Sequence, residues 1–517
     1  MELAKGGKMK KYNLYWGDFH THFENPAIGD SLLEDAKENI DFCTVLCYPF
    51  FWERKLGLLI ETVKQRKEFL NIWKELQELS RQHNQPGKFT TFLGYEWHGN
   101  RTYYGDHNVI YFDEDNPLDD TWDLPELYAN MKKRKALVIP HHTGYSLHHR
   151  GKNWDFFDNE LSPVMEIFSI HGSSEGCNTP YPMENNRSMG PRTSGGTFQD
   201  ALARGYLIGV IGSNDGQGLP GRWGKGRAGV WAEDCTREAI WDALCKRRTY
   251  AVTGDRIILD FEIEGAPMGS VTKAGSFVDV SVSVIGSNAI DRIELLKNGN
   301  VVDTYCHSGK WEKNADKCER VKVLVEVGWG PSSKYGFFED TGSQEWKCKL
   351  RVKKGKIENI ERCFSLPGQK VNKCQSNYCE WILKTSGRDS GDWKQSVIFE
   401  IKGNVKTEML FNIEGEKINT TVRELLNKSI LLPLLKESKE RIRRMFGLSE
   451  EIVGNPDVFY HNARKIKIHQ AIPESGYKVK HTFKKVRLNK GRNYFYVRVS
   501  QLNGQLAWSS PIWVDSI

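Results

Sequence analysis

The chain has 517 residues, of which 39% are apolar and 27% are charged, and its aromatic residues comprise 24 Phe, 19 Tyr and 16 Trp. This supply of large side chains excludes a mainly disordered protein, and the length suits roughly two to four domains. The formal net charge of +7 favours anionic partners without selecting one class of them.

Two further features bear on the compartment in which the protein works. No run approaches the roughly 18 consecutive apolar residues of a membrane-spanning helix, and the first residues lack the apolar region of a secretory signal. The eleven cysteines are odd in number and include no Cys-x-x-Cys pair, which is typical of reduced thiols. The sequence therefore predicts a cytoplasmic protein that does not act in a membrane.

Short apolar runs alternate with amphipathic helices in the first half of the chain. Apolar residues at three- and four-residue spacing predict one long helix over residues 54–83. The predicted strands are Asn13–Trp16, Phe42–Cys47, Phe89–Tyr95, Asn108–Phe112, Ala136–Ile139, Val164–Ser169 and Ile208–Gly212, and the shorter helices are Leu32–Asn39, Pro125–Lys135, Thr197–Arg204 and Thr236–Lys246. Strands with little internal alternation that alternate with helices predict an α/β fold with a parallel sheet, and favour a barrel.

The pattern changes from about residue 258, where strand-like runs separated by Gly, Asn and Lys turns predominate. Such runs include Ile257–Ile263, Phe277–Val284, Ile290–Leu296 and Tyr494–Val499. They predict a β-rich, sandwich-like domain over residues 258–517, after a metal-binding domain over residues 1–257. Residues 310–475 add further strands and one basic helix over Leu432–Met445, and we interpret them as a large insertion.

Most of the His, Asp and Glu residues that are candidates for a functional site lie at or next to the end of a predicted strand. They are Asp18, His20 and His22 after the first strand, Glu96 at the end of the third, His107 before the fourth, His141 and His142 after the fifth, Glu166 and His171 on and after the sixth, and Asp215 after the seventh. In a (β/α) barrel the carboxyl ends of the strands converge on one mouth. Side chains about 200 positions apart are therefore expected to share one site.

These residue types indicate a site for divalent metal ions. Histidine and carboxylate ligands together suit Zn, Mn or Fe, and a Glu can bridge two ions. His20 and His22 point to the same side of an extended chain, because side chains alternate with period two. Glu166 lies inside an apolar strand, where an unpaired carboxylate would be costly, so we expect it to have a metal or hydrogen-bonding partner. We favour His141 over His142 as the ligand of that pair.

The motifs resemble those of the PHP (polymerase and histidinol phosphatase) superfamily of metal-dependent hydrolases. The matching tracts are Tyr15–His22, Gly94–Trp97, Ile139–His142, Glu166–His171, Thr197–Tyr206, Gly212–Asp215, Thr236–Leu244, Arg247–Arg256 and Leu506–Ile512. The resemblance implies a distorted (β/α)7 barrel with up to three metal ions at its mouth, followed here by the β-rich domain.

The resemblance also implies which residues bind metal. One ion would take His20, His22, Glu96 and Asp215, and a second would share Glu96 and take His107 and His141, with His171 as an alternative. This chain has Cys47-Tyr48 where family members often have Asp-His, and Gln217 where they have His. Because those residues bind the third ion in the family, the resemblance implies one or two divalent ions here.

Four residues are candidates for substrate contact. Tyr48 and Trp52 stand where ligands of the third ion are missing, and they predict either a stacking wall for a sugar or aromatic substrate or an apolar plug beneath a loop. Arg192 and Arg222 are candidates for binding phosphate or carboxylate, because Arg can clamp both oxygens of such a group. The alternative for both arginines is a solvated loop.

The sequence predicts a metal-dependent hydrolase, in which a metal-bound hydroxide attacks an anionic small molecule and Asp215 transfers a proton with His98, His142 or His171. The resemblance favours a phosphoesterase. An amidohydrolase-type enzyme that cleaves C–N or C–O bonds at the same site remains open, as does a non-catalytic metal-stabilised binding protein. A nucleic-acid enzyme is disfavoured, because the chain has no polymerase-like remainder, and the oligomeric state is left open.

Overall fold

The computed structural model describes residues 12–23, 25–63, 66–183, 187–309, 317–331, 343–386 and 393–517. These residues divide into two compact units. The main unit comprises residues 12–286, 290–306 and 479–517, and the inserted unit comprises residues 287–289 and 307–478. Strands on both sides of position 257 therefore lie in the main unit, and the inserted unit has bounds close to those of the predicted insertion.

The chain contains the following strands and helices in the described regions. The strands are β1 (Asn13–His22), β2 (Phe42–Cys47), β3 (Phe50–Lys55), β4 (Leu58–Val63), β5 (Thr90–Trp97), β6 (His107–Tyr111), β7 (Ala136–Pro140), β8 (Val164–Ser169), β9 (Gly172–Ser173), β10 (Gly209–Gly212), β11 (Gly216–Gln217), β12 (Arg227–Ala232), β13 (Thr249–Val252), β14 (Ile258–Ile263), β15 (Ala266–Pro267), β16 (Val271–Ala274), β17 (Phe277–Ile285), β18 (Ile290–Lys297), β19 (Asn300–Cys306), β20 (Arg320–Gly328), β21 (Gln344–Cys363), β22 (Lys370–Gln375), β23 (Tyr378–Thr385), β24 (Lys394–Ile413), β25 (Glu416–Thr421), β26 (Ile430–Pro433), β27 (Lys465–Ile468), β28 (Ile472–Pro473), β29 (Lys478–Arg487), β30 (Arg492–Gln501), β31 (Leu506–Ser509) and β32 (Ile512–Ser516). The helices are α1 (Pro26–Lys37), α2 (Arg66–His83), α3 (Arg101–Tyr104), α4 (Leu124–Met131), α5 (Phe198–Ala203), α6 (Arg237–Cys245), α7 (Val422–Asn427), α8 (Leu435–Phe446), α9 (Glu450–Val453), α10 (Asp457–His461) and α11 (Glu474–Tyr477).

The largest sheet of the main unit has the strand order β16-β32-β30-β31-β13-β12-β1-β2-β5-β6-β7. β1, β2 and β5 pair in parallel, whereas β12, β6 and β7 pair antiparallel with their neighbours. A parallel partner for β5 would need a crossover of about a dozen residues, and the connection from Trp97 to His107 is too short for one. The fold is mixed α/β as predicted, but this sheet is mixed rather than parallel, and the (β/α)7 barrel stays a prediction.

Both faces of β1, β2 and β5 are covered by helices. Cys43, Val45 and Cys47 of β2 belong to the core cluster that contains apolar residues of α1 and α2. Phe42, which lies on the opposite face of β2, belongs to a second cluster with Trp241 of α6. Strands buried on both faces need apolar residues at every position, which explains the continuous apolar runs in the sequence.

Residues 54–83 do not form the single helix that their spacing predicts. β3 and β4 form an antiparallel hairpin, and α2 begins only at Arg66. The turn between the two strands consists of Leu56 and Gly57, with φ values of 49° and 85°. Two consecutive residues with positive φ are the geometry of a tight hairpin turn, and glycine allows it at little cost. The apolar residues of the hairpin therefore have helical spacing, but the turn at Leu56 and Gly57 prevents this segment from forming a helix.

The inserted unit is built on one sheet with the strand order β22-β23-β21-β24-β20-β27-β26. Its longest strands, β21 and β24, are 20 residues each and pair antiparallel with two register shifts. The strands predicted at Val321–Val327, Trp346–Val352 and Ser396–Ile401 lie within β20, β21 and β24, and α8 covers most of the predicted basic helix. Throughout the described parts of the chain, no helix combines the length and the apolar character needed to cross a bilayer.

A half-buried carboxyl group on β14, that of Asp260, is expected to make the stability of the main unit depend on pH. Burial, and then the neighbouring Glu262, raise the pKa of Asp260 to about 6, and among the described residues its Oδ1 has no hydrogen-bond partner. The folded chain binds this proton more tightly than the unfolded chain, so stability is lost as the pH rises from about 4 to about 6.

We expect Asp260→Asn to raise the free energy of unfolding by about 1–2 kcal/mol at pH 7, allowing for partial solvent exposure, and by little at pH 4. Thermal unfolding at the two pH values measures the difference. The exposed Asp303 offers a matched control, since Asp303→Asn should have little effect at either pH. An equal gain from Asp260→Asn at both pH values would exclude a titration effect.

Candidate metal centre

The predicted ligands lie at the ends of strands or directly after them. His20 and His22 end β1, Glu96 is next to last in β5, His141 and His142 follow β7, Glu166 is in β8, His171 lies in the turn between β8 and β9, and Asp215 lies between β10 and β11. The backbone N–H of Asp215 donates to the carbonyl oxygen of His20 at 2.8 Å, which fixes the last of these loops against β1.

Eight side chains form one connected cluster, which we call the His/carboxylate cluster. Among the described residues there are four overlapping groups whose donor atoms all lie within 4.8 Å of one another. The groups are His20, His141, Glu166 and Asp215; His20, His22 and Glu96; Glu96, His141 and His142; and His142, His171 and Asp215. Imidazole nitrogens and carboxylate oxygens at these separations can hold divalent metal ions.

The carboxylate of Glu96 faces two sets of histidines. Its Oε2 lies 3.1 Å from Nε2 of His22 and 3.7 Å from Nε2 of His20. Its Oε1 lies 3.9 Å from Nε2 of His141. The two oxygens can therefore serve two ions, as a bridging carboxylate does.

Asp215 connects the opposite side of the cluster. Its Oδ1 lies 3.4 Å from Nε2 of His20, and its Oδ2 lies 3.3 Å from Nε2 of His171. Asp215 has a φ of 56° and His142 a φ of 33°, in the left-handed region that non-glycine residues adopt only at a cost. Such backbone strain concentrates at functional sites, where the surrounding structure holds it in place.

Several polar atoms of the cluster are buried without a hydrogen-bond partner. Within the described parts of the chain, neither ring nitrogen of His141 has one, and neither does Oε1 of Glu166. The other oxygen of Glu166 lies 2.9 Å from Nδ1 of His20, which leaves Nε2 of His20 directed towards the other ligands. Because leaving such atoms unpaired is costly, and a cation would satisfy their lone pairs, the donor set fits a divalent metal.

The buried charges shift one another's titration. Burial lowers the pKa of His20, but Asp215 and Glu166 outweigh it and hold that pKa well above its usual value. Burial raises the pKa of Glu96, but His98 and the cluster histidines hold it well below its usual range. For Glu166 burial prevails and raises the pKa to about 7. The directions of these shifts follow from the balance between burial, which favours the neutral form, and opposite charges within the cluster, which favour the charged form.

Burial keeps two further histidines of the cluster, and His98 beside it, in the neutral form. Burial holds the pKa of His141 and of His142 well below the usual value, with neighbouring histidines adding to the effect. Burial also lowers the pKa of His98 to about 3, although Glu96 opposes the shift. Neutral imidazole is the form that binds a metal ion.

His107 does not join the cluster. It is buried on β6, where its Nδ1–H donates to the carbonyl oxygen of Gly105 at 3.0 Å. Antiparallel pairing places it opposite Trp97, whose ring centroid lies 5.9 Å away. The imidazoles nearest to Oε1 of Glu96 belong to His98, at 3.8 Å, and His141, at 3.9 Å. The role of His107 as a metal ligand stays a prediction.

Asp18 organises the backbone beside the cluster instead of joining it. Its Oδ1 accepts from the N–H groups of His20 at 2.9 Å and Asn214 at 3.2 Å. Its Oδ2 accepts from Thr21 Oγ1 at 2.7 Å and from the N–H of Gly221 at 2.8 Å. The bonds from Asn214 and Gly221 join β1 to the loops on either side of β11, and the bond from the N–H of His20 helps to position that residue. The role of Asp18 as a metal ligand stays a prediction.

Arg192 is occupied by backbone carbonyl groups. Its guanidinium donates to the carbonyl oxygens of Ser173 at 2.7 Å, Tyr181 at 3.2 Å, Cys177 at 3.2 Å and Thr179 at 2.6 Å. These bonds hold the loop after β9 in its conformation. They give Arg192 a structural role, and its role in substrate binding stays a prediction.

Arg192→Lys is expected to destabilise the main unit by about 2 kcal/mol, because an ammonium group cannot reach four divergent carbonyl groups. The KM for substrate should stay unchanged. Thermal unfolding and steady-state kinetics test both expectations, with Arg204→Lys as a control at an exposed arginine. Unchanged stability together with a raised KM would instead support direct contact with substrate.

Of the remaining candidates for substrate contact or proton transfer, Tyr48 and His98 lie beside the cluster. The ring of Tyr48 packs 4.9 Å from that of His22 and 4.8 Å from that of His98. His98 donates from Nδ1 to the carbonyl oxygen of Glu96 at 2.7 Å, and its Nε2 lies 3.8 Å from Oε1 of Glu96. Arg222 is half-buried in the loop after β11. The side chain of Trp52 lies outside the described residues.

Three charged residues near the cluster were not predicted. Asp106 is buried, and its Oδ2 accepts from Nε of Arg150 at 2.6 Å and lies 3.7 Å from Nδ1 of His142. A guanidinium nitrogen of Arg101 lies 3.6 Å from Oδ1 of Asp106 and 4.0 Å from Oε1 of Glu96. Asp106 could have been noticed in the sequence, because it directly precedes His107 at the start of a predicted strand. No sequence pattern distinguishes Arg101 and Arg150.

The comparisons with known proteins give relatives without an assigned function. A family model described as a protein of unknown function (DUF3604) matches residues 50–147 and 217–265. An uncharacterized protein of Chlamydia pneumoniae is 28% identical over 318 residues, covering 57% of this chain and 49% of that protein. One of Chlamydia muridarum is 26% identical over 329 residues, with the same coverage. The chain thus spans about half the length of the curated relatives it matches.

A solved structure was also found at low similarity. It is described as a two-domain protein containing a predicted PHP-like metal-dependent phosphoesterase from Bacteroides vulgatus. Its TM-score is 0.34 at 13% sequence identity, and the alignment covers 81% of this chain and 98% of that chain. The family model for its part includes Glu96 and His141 among its matched residues, but not His20 or Asp215.

Proposed function

We propose that this chain is a metal-dependent hydrolase that uses the His/carboxylate cluster to cleave a phosphoester of an anionic small molecule. The observation that carries the proposal is the cluster itself, in which five histidines and three carboxylates converge and both ring nitrogens of His141 are buried without a partner among the described residues. A structural core rarely gathers so many ionisable groups, because burying them without compensation is costly.

The cluster offers ligands for one or two ions of Zn, Mn or Fe. His20, His22, Glu96 and Asp215 would hold one ion, and Glu96 with His141 and His142 would hold the other. When bound, such ions lower the pKa of a water molecule and polarise the oxygen of the group under attack.

The chain's own residues would manage the proton of the reaction. Oδ2 of Asp215 and Nε2 of His171 are 3.3 Å apart, within reach of a proton passed from one to the other. The hydroxyl of Tyr145 lies 2.7 Å from Nδ1 of His171 and orients the ring. With 11% of its side chain exposed, His171 is also able to exchange the proton with solvent.

The choice of a phosphoester rests on two supports. The sequence motifs resemble those of PHP phosphoesterases, and the guanidinium of Arg101 lies 4.0 Å from Oε1 of Glu96, where it would attract an anionic group. The same cluster would serve an amidohydrolase that cleaves C–N or C–O bonds. A non-catalytic, metal-stabilised binding protein is the third candidate, since a buried ion also stabilises a fold.

The direct test is metal analysis of the purified protein, together with a screen of phosphomonoesters, phosphodiesters, carboxylic esters and amides. We expect bound divalent metal and turnover of a phosphoester that is lost in His20→Ala. The exposed His149 offers a matched control, and His149→Ala should retain metal and turnover. Turnover that survives in His20→Ala after its metal has been lost would contradict the proposed function.

A further inference from the structure

A cavity of about 330 Å³ adjoins the His/carboxylate cluster. Glu96 and His98 form one part of its wall, and the rest is mostly apolar. The apolar part consists mainly of Phe69, Leu70, Tyr95, Trp97, Leu118 and Trp122. We call this cavity the aromatic pocket, and its shared wall places any group bound in it next to Glu96.

Three segments build the aromatic pocket, and hydrogen bonds hold them together. α2 supplies Phe69 and Leu70, β5 supplies the wall next to the cluster, and residues 113–123 supply Leu118 and Trp122. Nε1 of Trp97 donates to the carbonyl oxygen of Thr121 at 2.8 Å, which ties this loop to β5. The pocket is thus formed by the folded chain before any ligand arrives.

Two apolar side chains of the pocket are exposed to solvent. Trp122 is 63% exposed and Leu70 is 40% exposed, although both are large and apolar. They belong to the same cavity as buried aromatic residues, so they extend its apolar wall to the surface. A continuous apolar wall that reaches solvent is typical of a ligand site.

The polar groups of the pocket are acidic. Glu96, Asp119 and Asp120 line it, and none of its described lining residues is Lys or Arg. Asp119 accepts hydrogen bonds from Thr121 of the same loop and from Asn130 of α4, which hold its carboxylate against these two segments. Asp120 is exposed at the rim. This charge distribution would repel an anionic group and accept a neutral or positively charged one.

We infer that the aromatic pocket binds an apolar ring of the substrate that is neutral or positively charged. Its position next to Glu96 makes this ring the part of the substrate that adjoins the bond to be cleaved. The inference that the bound ring belongs to the substrate rests on the proposed function. The inference that the pocket binds such a ring does not. Aromatic walls favour flat rings, and they attract cations through the ring faces.

Ligand-observed NMR with three one-ring probes tests the pocket on the intact 517-residue chain. The probes are benzyl alcohol, benzyltrimethylammonium and benzoate, which are neutral, cationic and anionic. We expect the first two to bind and benzoate to bind at least about tenfold more weakly. Trp122→Ala should weaken binding of both by about tenfold, since one aromatic wall is lost. Because the side chain of Trp122 is largely exposed, this substitution should leave the fold intact.

Two further variants test the role of the rim charge and provide a control outside the pocket. Asp120→Asn should reduce the preference for benzyltrimethylammonium over benzoate, since it removes one negative charge from the rim. Leu502, which is 53% exposed outside the pocket, provides the control, and Leu502→Ala should bind the probes unchanged. Absence of probe binding, tighter binding of benzoate, or unchanged binding in Trp122→Ala would each overturn the inference.

The pocket and the proposed function can fail separately. Probe binding that persists after chelation in a protein without turnover would support the pocket and contradict the hydrolase. Turnover without probe binding would contradict the pocket alone. If both stand, substrates with a ring next to the cleaved bond should have the lower KM, and Trp122→Ala should raise KM more than it lowers kcat.

Discussion

Glu96→Gln is expected to abolish both metal binding and turnover. Each oxygen of Glu96 faces a different set of histidines, so this single residue belongs to two of the groups that could hold an ion. A neutral amide offers one weakly basic oxygen and no negative charge to balance the ions. We expect kcat to fall by more than about 100-fold. Replacing a residue that only supports a metal ligand typically costs about 10- to 100-fold, and the loss of a ligand should cost more. Metal stoichiometry and steady-state kinetics of the same preparation measure the two effects.

The matched control is a Glu→Gln substitution outside the cluster. Glu126 is exposed on α4, and Glu126→Gln should leave metal content and turnover unchanged. If Glu96→Gln retained its metal at the original stoichiometry, Glu96 could not be a ligand, and the cluster would have to hold the ion through His141, Glu166 and Asp215 without it.

Removal of the metal with a chelator is expected to abolish turnover while the main unit stays folded. The core clusters that hold β1, β2 and β5 against α1, α2 and α6 do not include the ligand side chains. A bound ion present at about 100 times its dissociation constant adds about 2.7 kcal/mol to the free energy of unfolding, so its loss lowers the melting temperature without unfolding the chain at 25 °C. Circular dichroism, thermal unfolding and recovery of turnover on adding back metal measure these effects.

The same experiment separates the enzyme from the binding protein. A non-catalytic, metal-stabilised protein would lose folded structure on chelation and would show no turnover of any ester or amide, with or without metal. An enzyme of the amidohydrolase type would also lose turnover on chelation while staying folded. In the presence of metal it would cleave amides or carboxylic esters and would not cleave phosphoesters. The choice between the chemistries therefore depends on the substrate screen, because the ligand set serves all of them.

Much of the site could be predicted because its signals are local. A buried strand needs an uninterrupted apolar run, and an ionisable residue at the end of such a run is conspicuous. His20 and His22 share a side of β1 because side chains of a strand alternate with period two. Glu166 stands out because a carboxylate inside an apolar strand needs a partner, and the structure places it 2.9 Å from His20.

What could not be predicted depends on contacts between distant segments. Of His107 and His141, which the family resemblance assigns to the same ion, only His141 lies close to the Glu96 carboxylate in the described structure, at 3.9 Å, whereas the antiparallel pairing of β5 with β6 places His107 opposite Trp97. The four carbonyl groups that surround Arg192 come from a folded loop, so its hydrogen bonds could not be predicted from its place in the sequence. The aromatic pocket combines α2, β5 and a distant loop, and none of these segments indicates a pocket alone.

By itself, then, the sequence determined which strands carry His, Asp and Glu residues at their ends, and that the fold combines helices with a large share of strands. These follow from burial and backbone periodicity, which act over a few neighbouring residues. Only the tertiary structure decided which side chains meet, which groups surround each arginine and which apolar residues line a common cavity. Those outcomes depend on strand direction and loop closure, which are set by the packing of the whole unit.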